Sequence, residues 1–525
     1  MAASILSRMK APLSLHTVAQ VRALEQHWIQ TVGVPSFELM SRAGVFAMRQ
    51  LRSRWSAARD VLVLAGGGNN AGDGYILAHE AWSLGLSPRV LALTPPQALK
   101  GDAARAAEQC LAAGVPVELF DSMRLPERLA RADVIVDAIF GIGLQRDLST
   151  ELCSVVQLVN AAARPVLSID VPSGLCADTG APRPCAIRAD LTVTFVAHKL
   201  GLTLIEAAPW IGSLVLGTLV DDAALFERSA SSVGCIAQRL DEHALHRALP
   251  RRSITTHKGE AGHVVVIGGG IGMPGAARLA AIAALRVGAG KVTVLCHPSS
   301  AASIATAHPE LMVRPIEDAR AIARHLQSAD VRVVGTGLGR DEWASQVLDA
   351  ALDESAATVL DADALTLLAA RSPGGLLLSD RHAPIRPWVM TPHPAEAARM
   401  LGLGTADVQA DRLAALATLA ARTLAIVVLK GAGTWIGCAG QTPTICAVGN
   451  PRLATAGTGD VLAGTVAGIW AQQSTRARAD SALLAAQAAV WLHALAAAPR
   501  EAAVASSDRG LLAGELAMDL ARCLP

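Results

Sequence analysis

The chain has 525 residues, 52% of them hydrophobic and 17% charged, with 46 basic residues against 45 acidic ones for a formal net charge of +1. The charged share lies below the usual share of about 25%, so sizeable cores can form and a disordered chain is excluded. The absence of a basic excess or a charge block argues against nucleic-acid binding, and the length favours two or three domains.

Residues 1–15 carry Arg8 and Lys10 but no uninterrupted apolar run, which argues against a secretory signal. The nine cysteines are scattered, with no Cys-x-x-Cys pair, so a zinc site is unsupported. Scattered thiols point to a reducing, cytoplasmic setting. Strand-like apolar runs follow at 61–65, 89–93, 134–138 and 166–169, and again at 264–267, 291–296, 331–335, 358–360 and 425–429. Between them lie Ala/Leu/Arg stretches of helical period. Continuous apolar strands separated by helices predict an α/β chain with parallel sheets covered on both faces. Residues 221–258 break this rhythm with clustered charge and a serine run at 229–232, placing a boundary near 235 and two domains at 1–235 and 236–525. The Ala-rich stretch 483–498 contains Gln487 and His493 and reads as a buried helix rather than a membrane span.

Two glycine-rich turns follow strands directly, at 66–74 and 268–275. Both approximate the Gly-x-Gly-x-x-Gly dinucleotide fingerprint, but the strands after them end in Thr94 and His297, where a ribose-binding acid is expected. The nicotinamide-dependent oxidoreductase reading fails there. The first turn carries Asn69, Asn70 and Asp73, oxygen donors that suit a hard cation or sugar hydroxyls; the bland alternative is a turn satisfying its own backbone. Asp137 and Asp170 end strands, and Ser173 follows, so with Asn70 they converge where open α/β sheets bind ligands.

In the second half, Gly457, Thr458, Gly459 and Asp460 precede an apolar helical run. Small residues at a helix start suit an anion. Asp460 is either a cap or a base beside that anion.

Taken together, these motifs resemble known families over nearly the whole chain, from about residue 14 to 500. Asn69-Asn70-Ala71-Gly72-Asp73-Gly74, Asp137-Ala-Ile-Phe-Gly141, Asp170-Val-Pro-Ser173-Gly and Phe195-Val-Ala-His-Lys199 resemble the NAD(P)H-hydrate epimerases, or YjeF N-terminal domains, with a Rossmann-like fold. His257-Lys258-Gly259, the 268–275 loop, Gly335-Thr-Gly337-Leu-Gly339, Leu360-Asp-Ala-Asp363, Thr391-Pro-His393-Pro-Ala-Glu396, Lys430-Gly431-Ala432-Gly433-Thr434 and the Asp460 segment resemble the ribokinase-like, ADP-dependent NAD(P)H-hydrate dehydratases. The implied fold is two doubly wound domains, and the fused order resembles the bifunctional hydrate-repair enzymes.

The resemblance implies that the first domain equilibrates the R and S hydrates at C6 of the nicotinamide ring, and that the second dehydrates the S form with ADP. It places Asn69 to Asp73, the loop Gly141, Ile142, Gly143, Leu144, Gln145, Arg146 and Asp147, and Asp170 on the hydrate, with Asp170 as the epimerase acid/base. It assigns Asn70, Asp137 and Ser173 to potassium. It places Ala276, Gly337, His393 and Asp460 on the dehydratase substrate, with Asp460 as base, and Lys430, Gly431, Ala432, Gly433, Thr434 and Gly459 on ADP with Mg2+. Partners are small molecules only, in a homo-oligomer. Two positions depart from the pattern: Thr336 stands where proline is common, and Ala-Leu-Ala-Ala-Ala-Pro follows His493 in place of Ala-Gly-Asp. A ribokinase-type kinase and a scaffold protein are the alternatives: the first would leave phosphate on its product, and the retained Asp170 argues against the second.

Overall fold

The computed structural model describes residues 13–220, 223–353, 355–371, 386–473, 478–498 and 508–525. The features noted at Arg8, Lys10, Asp221 and Pro499 lie outside the described residues. Two compact units emerge, one of residues 14–237 and one from Gln238 onward.

The first unit is built on a parallel sheet in the order Val117–Leu119, Ser87–Ala92, Asp60–Ala65, Val134–Ala138, Val166–Ile169, Leu191–Phe195, Ser213–Gly217. Its central strands are buried along their length, which is why they read as continuous apolar runs rather than alternating ones. The strand expected at 89–93 starts earlier, because the Ser87 N–H already joins the ladder through Arg59 O at 2.9 Å. The chain runs outward from Asp60–Ala65, then returns to add Val134–Ala138 on its other side. The crevice at the carboxyl ends of these two strands is the topological switch point where such sheets bind ligands. Helix Val18–His27 borders it. That helix opens with a capping box, in which Thr17 Oγ1 accepts from Gln20 N and the Gln20 side chain accepts from Thr17 N.

The second unit repeats the plan. Its parallel strands run in the order Met312–Pro315, Lys291–Cys296, His263–Ile267, Val331–Val334, Thr358–Leu360, Trp388–Met390, Ile426–Leu429. The switch falls between His263–Ile267 and Val331–Val334. Two antiparallel strands, Thr434–Gly437 and Thr444–Cys446, extend the edge. Thr434, expected in a loop, therefore begins a strand; Leu429 pairs with Trp435, and the β-branched and aromatic residues favour the ladder. The helix expected at 483–498 is Arg478–Ala496, and its Ala485, Ala486, Ala488, Ala489 and Leu492 are fully buried.

Among the described residues, no helix is long and apolar enough to cross a membrane. The scattered cysteines include one disulfide, Cys153–Cys185, with Cα atoms 6.1 Å apart.

Candidate active sites

At the first switch point lies a cavity of about 800 Å3, walled by helix Val18–His27, the turn 66–68 and the start of helix Asn69–Ser83, residues 139–144, Asp170 and Lys199. The strand-end position that would carry a ribose-binding acid is filled by Thr94, whose Oγ1 would lie 2.7 Å from a methyl on Gly67.

Asp170 follows strand Val166–Ile169 in the left-handed region, with φ 66°. Its Oδ1 lies 2.6 Å from Lys199 Nζ and accepts from Thr194 Oγ1 at 3.4 Å; Oδ2 accepts from Ile142 N at 3.0 Å. Lys199 is 1% exposed and also donates to Thr194 Oγ1 and Phe195 O, both at 2.7 Å. Val196 on the same wall has φ 68°, a costly conformation for a β-branched residue and one that persists only where surroundings over-determine it. A methyl on Gly141 would lie 2.6 Å from Asp170 Oδ2 and 3.2 Å from Asn70 Oδ1, so this loop runs directly over both side chains.

Asn69, Asn70 and Asp73, expected in a turn, open helix Asn69–Ser83 instead, and their side chains do not cap it. Gly68 is the helix N-cap with no side-chain capping bond, and Asn70 is buried with both amide atoms unpartnered. Asp73 and Glu25 also line the cavity. Burial raises the carboxyl of each, that of Asp73 strongly, reinforced by repulsion from Asp170 and opposed by Lys199. Ala71 and Gly72 pack inward instead; a methyl on Gly72 would lie 2.6 Å from Met40 Sδ. Ile142, Gly143, Leu144 and Arg146 line the cavity, whereas Gln145 and Asp147 are exposed outside it.

Asp137 is fully buried. Oδ2 accepts from Ser168 Oγ and Ser173 N, both at 2.8 Å, and Oδ1 accepts from Ser173 Oγ at 2.5 Å and Ile139 N at 3.3 Å. Burial raises its pKa while these donors oppose the rise.

In the second unit, the ends of neighbouring strands bring together Gly337, Asp361, His393 and Lys430, and Asp460 joins them from helix Thr458–Ala471. Asp361 is 1% exposed; its Oδ1 lies 2.8 Å from Lys430 Nζ and accepts from Thr391 Oγ1 at 2.7 Å. Burial pulls the Lys430 ammonium down, but Asp361, Glu396 and Asp460 outweigh it and the pKa is raised. Asp363 instead accepts from Gly339 N at 3.0 Å and Arg340 Nε at 3.1 Å. Arg412 grips the 430–433 loop through Ala432 O at 2.7 Å, Leu429 O at 3.1 Å and Lys430 O at 3.2 Å.

Asp460 is not the helix cap. Gly457 holds that position with φ 89°, and Asp460 stands three residues on, in the first turn. Burial, then repulsion from Asp361, pushes its carboxyl up to about 7 against the pull of Lys430. The Gly459 and Asp460 N–H groups have no carbonyl partner, as expected for a first helical turn that can receive an anion. His393 does cap a helix: Nδ1 accepts from Ala395 N at 3.1 Å and Glu396 N at 3.2 Å, while Nε2 lies 3.3 Å from Glu396 Oε1. Ala276 packs against Gly337, with its Cβ 2.8 Å from where a methyl on that glycine would be. An open cavity of about 680 Å3 borders Leu279 and Ala513, the two residues that a methyl on Gly457 would strike.

A family model described as YjeF-related protein N-terminus matches residues 36–201, and one described as NAD(P)H-hydrate dehydratase matches residues 264–520. The bifunctional NAD(P)H-hydrate repair enzyme Nnr of Coxiella burnetii is 40% identical over 96% of this chain and 97% of its own. That of Escherichia coli strain K12 is 37% identical over 88% of this chain and 87% of its own. The chain belongs to the bifunctional NAD(P)H-hydrate repair enzymes. Among solved structures, an ADP/ATP-dependent NAD(P)H-hydrate dehydratase from Bacillus subtilis is 29% identical, with a TM-score of 0.46, over 54% of this chain and 96% of that one.

The first unit of this hydrate-repair enzyme is thus its epimerase and the second its dehydratase. Two groups in it carry weight that motif reading did not assign. Lys199 ends the Phe195–Lys199 motif, but only the fold shows it holding Asp170. His493 is buried and drawn down to about 4 by burial, so it stays neutral and donates Nε2–H to Thr458 O at 2.9 Å, pinning the first turn that carries Asp460. Thr336, the residue in place of proline, leaves its buried hydroxyl unpartnered.

Gly459 gives a direct test of whether the Asp460 and Lys430 cluster is the dehydratase centre. A methyl there would lie 3.2 Å from Lys430 Nζ, forcing the ammonium to shift by a few tenths of an ångström. Gly459→Ala is expected to leave thermal stability unchanged or slightly raised, since alanine favours a helix by roughly 0.5–1 kcal/mol. Dehydration should still fall by about tenfold or more. An unaltered turnover number in steady-state assays would show that the Lys430 position does not matter.

Proposed function

We propose that each unit does its chemistry at its own switch point. In the epimerase, the hydrated nicotinamide occupies the 800 Å3 cavity, with Asp170 handling protons at C6 and Lys199 holding it in place. A monovalent cation suits Asn70, whose buried amide oxygen lacks any partner. Ser173 would complete the oxygen set, with Asp137 behind it as counter-charge, since the four hydrogen bonds to Asp137 occupy its lone pairs. Potassium, when bound, supplies positive charge that offsets the buried Asp137 carboxylate and orders the loops over the cavity.

In the dehydratase, ADP lies along the 430–433 loop, its terminal phosphate at the free N–H groups of Gly459 and Asp460, with the Lys430 ammonium beside it. Asp460 takes the proton from the C6 hydroxyl as that oxygen attacks phosphorus and AMP departs. Loss of phosphate from C6 and of a proton from C5 then restores the double bond. Among the described residues no group of three or more His, Cys, Asp or Glu side chains could hold a metal ion; Mg2+ commonly rides on a nucleotide's phosphates and water, and would do so here.

The observation that carries this reading is Asp460 set in a helix's first turn, where the N–H groups lack carbonyl partners and Lys430 stands close by, with burial pushing its carboxyl up to about 7. A general base is most effective when its pKa lies near the working pH. The test feeds mixed R and S hydrates with ADP or ATP, with and without potassium, and follows recovered NADH absorbance and released phosphate. Full recovery with stoichiometric phosphate is expected with ADP; recovery of only the S fraction would remove the epimerase, and a stable phosphorylated product would replace the dehydratase with a kinase.

A further inference from the structure

Inversion at C6 takes the hydroxyl off one face of the ring and returns it to the other. Removal requires a proton donor and return requires an acceptor, so one carboxyl cannot serve both faces well. Asp170 is ion-paired and takes three donors, Lys199 Nζ, Thr194 Oγ1 and Ile142 N. The cavity holds a carboxyl in the opposite situation. Glu25 lies on the face of helix Val18–His27 that lines the cavity with Val21 and Arg22. It is partly buried, and among the described residues no group donates a hydrogen bond to its carboxyl oxygens, the Trp28 N–H reaching only its backbone carbonyl. Two carboxyls held in contrasting surroundings within one cavity are how a fold assigns an acid and a base. A second observation marks this as a ligand site: Asn70, 8% exposed, lines the same cavity with its amide unpartnered.

We propose that Glu25 is the second catalytic residue of the epimerase, working opposite Asp170. The proposal rests on the epimerase assignment above. Glu25 gives its proton to the C6 hydroxyl; the C6–O bond breaks, its electron pair leaves with water, and the N1 lone pair forms N1=C6. The planar iminium has lost its configuration at C6, and its positive charge sits among Glu25, Asp73 and Asp170. Water then adds to the other face, forming C6–O, and passes its proton to Asp170. The reverse inversion exchanges the two roles, and solvent returns the protons, so nothing is consumed. Asp73 is the alternative donor. Glu25 is preferred because its neighbours Arg22 and Gln26 are exposed, which gives it a path to solvent protons. The charged groups acting on Glu25 are Asp170, Lys199 and Arg22, and Asp73 faces it as well; burial raises its own pKa, the direction a proton donor needs.

The test is Glu25→Gln in the full-length enzyme, following R-to-S exchange above the uncatalysed rate. Native exchange must be present; without it the epimerase reading itself fails. The variant should lose about 10²–10⁴-fold in kcat with hydrate KM within threefold. It should also lose the decline of native exchange at high pH, and keep native ADP-dependent dehydration of the S hydrate. Glu25→Asp should restore part of the rate. In ¹⁸O-water the native enzyme should label the C6 hydroxyl with each inversion. Exchange within threefold of native in Glu25→Gln, a change confined to KM, retention of the original oxygen, or loss in both variants alongside a lowered melting temperature would each overturn the proposal.

Discussion

Asp460→Asn is expected to abolish hydrate dehydration, by about 10²–10⁴-fold for loss of a general base, while ADP still binds. The geometry adds a second, opposite effect. The native carboxyl titrates at about 7, far above the usual 3.8, so folding disfavours its charged form. A carboxyl with a raised folded pKa favours the folded state while protonated in both states, and this advantage is lost as pH rises from about 4 through 7. The asparagine variant avoids that loss. Its dehydratase unit should melt higher than the native one at pH 8, with the difference fading toward pH 4. One pKa unit is worth about 1.4 kcal/mol, so the gain is at most about 4 kcal/mol. Native kcat/KM should rise with pH up to about 7 and then level, since the base must be deprotonated. Calorimetry showing equal melting at pH 8, or a pH profile flat from 5 to 8, would contradict this description of Asp460.

Asp170→Asn is the second large effect. R-to-S exchange should fall at least 10²-fold. The left-handed backbone at this position is one that asparagine tolerates, so the local fold is kept. The Lys199 ammonium, however, is left buried without its counter-charge, and breaking such a pair costs about 3–5 kcal/mol. The single variant is therefore ambiguous by itself. Combining it with Lys199→Met removes the stranded charge, and the double variant should regain most of the lost stability while remaining inactive in exchange. If activity returns along with stability, Asp170 is structural.

The sequence and the structure part company in specific places. Strand cores and the two switch-point turns were legible, because fully buried parallel strands write themselves as apolar runs and glycines mark close approach. Register at the strand ends was not, since it depends on backbone bonds such as Ser87 N to Arg59 O. The antiparallel edge beyond Ile426–Leu429 hid in a short Thr-Trp-Ile-Gly segment that has no periodicity to show. Motifs singled out Asp170 and Asp460 but not what holds them. The partner of Asp170 lies 29 residues away and that of Lys430 lies 69 away. Nor could residue type tell that His393 spends Nδ1 on a helix cap, or that Asp137 is already satisfied by four donors. Glu25 carried no signal, because a glutamate in an amphipathic helix looks like any solvated charge.

His493 bears on how the dehydratase stores its reactivity. Asp361, Asp363 and Glu396 all push against Asp460, and a free helix end under such repulsion would fray. The imidazole, reaching Thr458 O from another helix, clamps that end. The repulsion is thus met once, when the chain folds. Polar groups fixed in advance need no solvent rearrangement at the moment of reaction. In that sense the alanine-rich helix behind the site is a spring held under load, with a single neutral histidine as its catch.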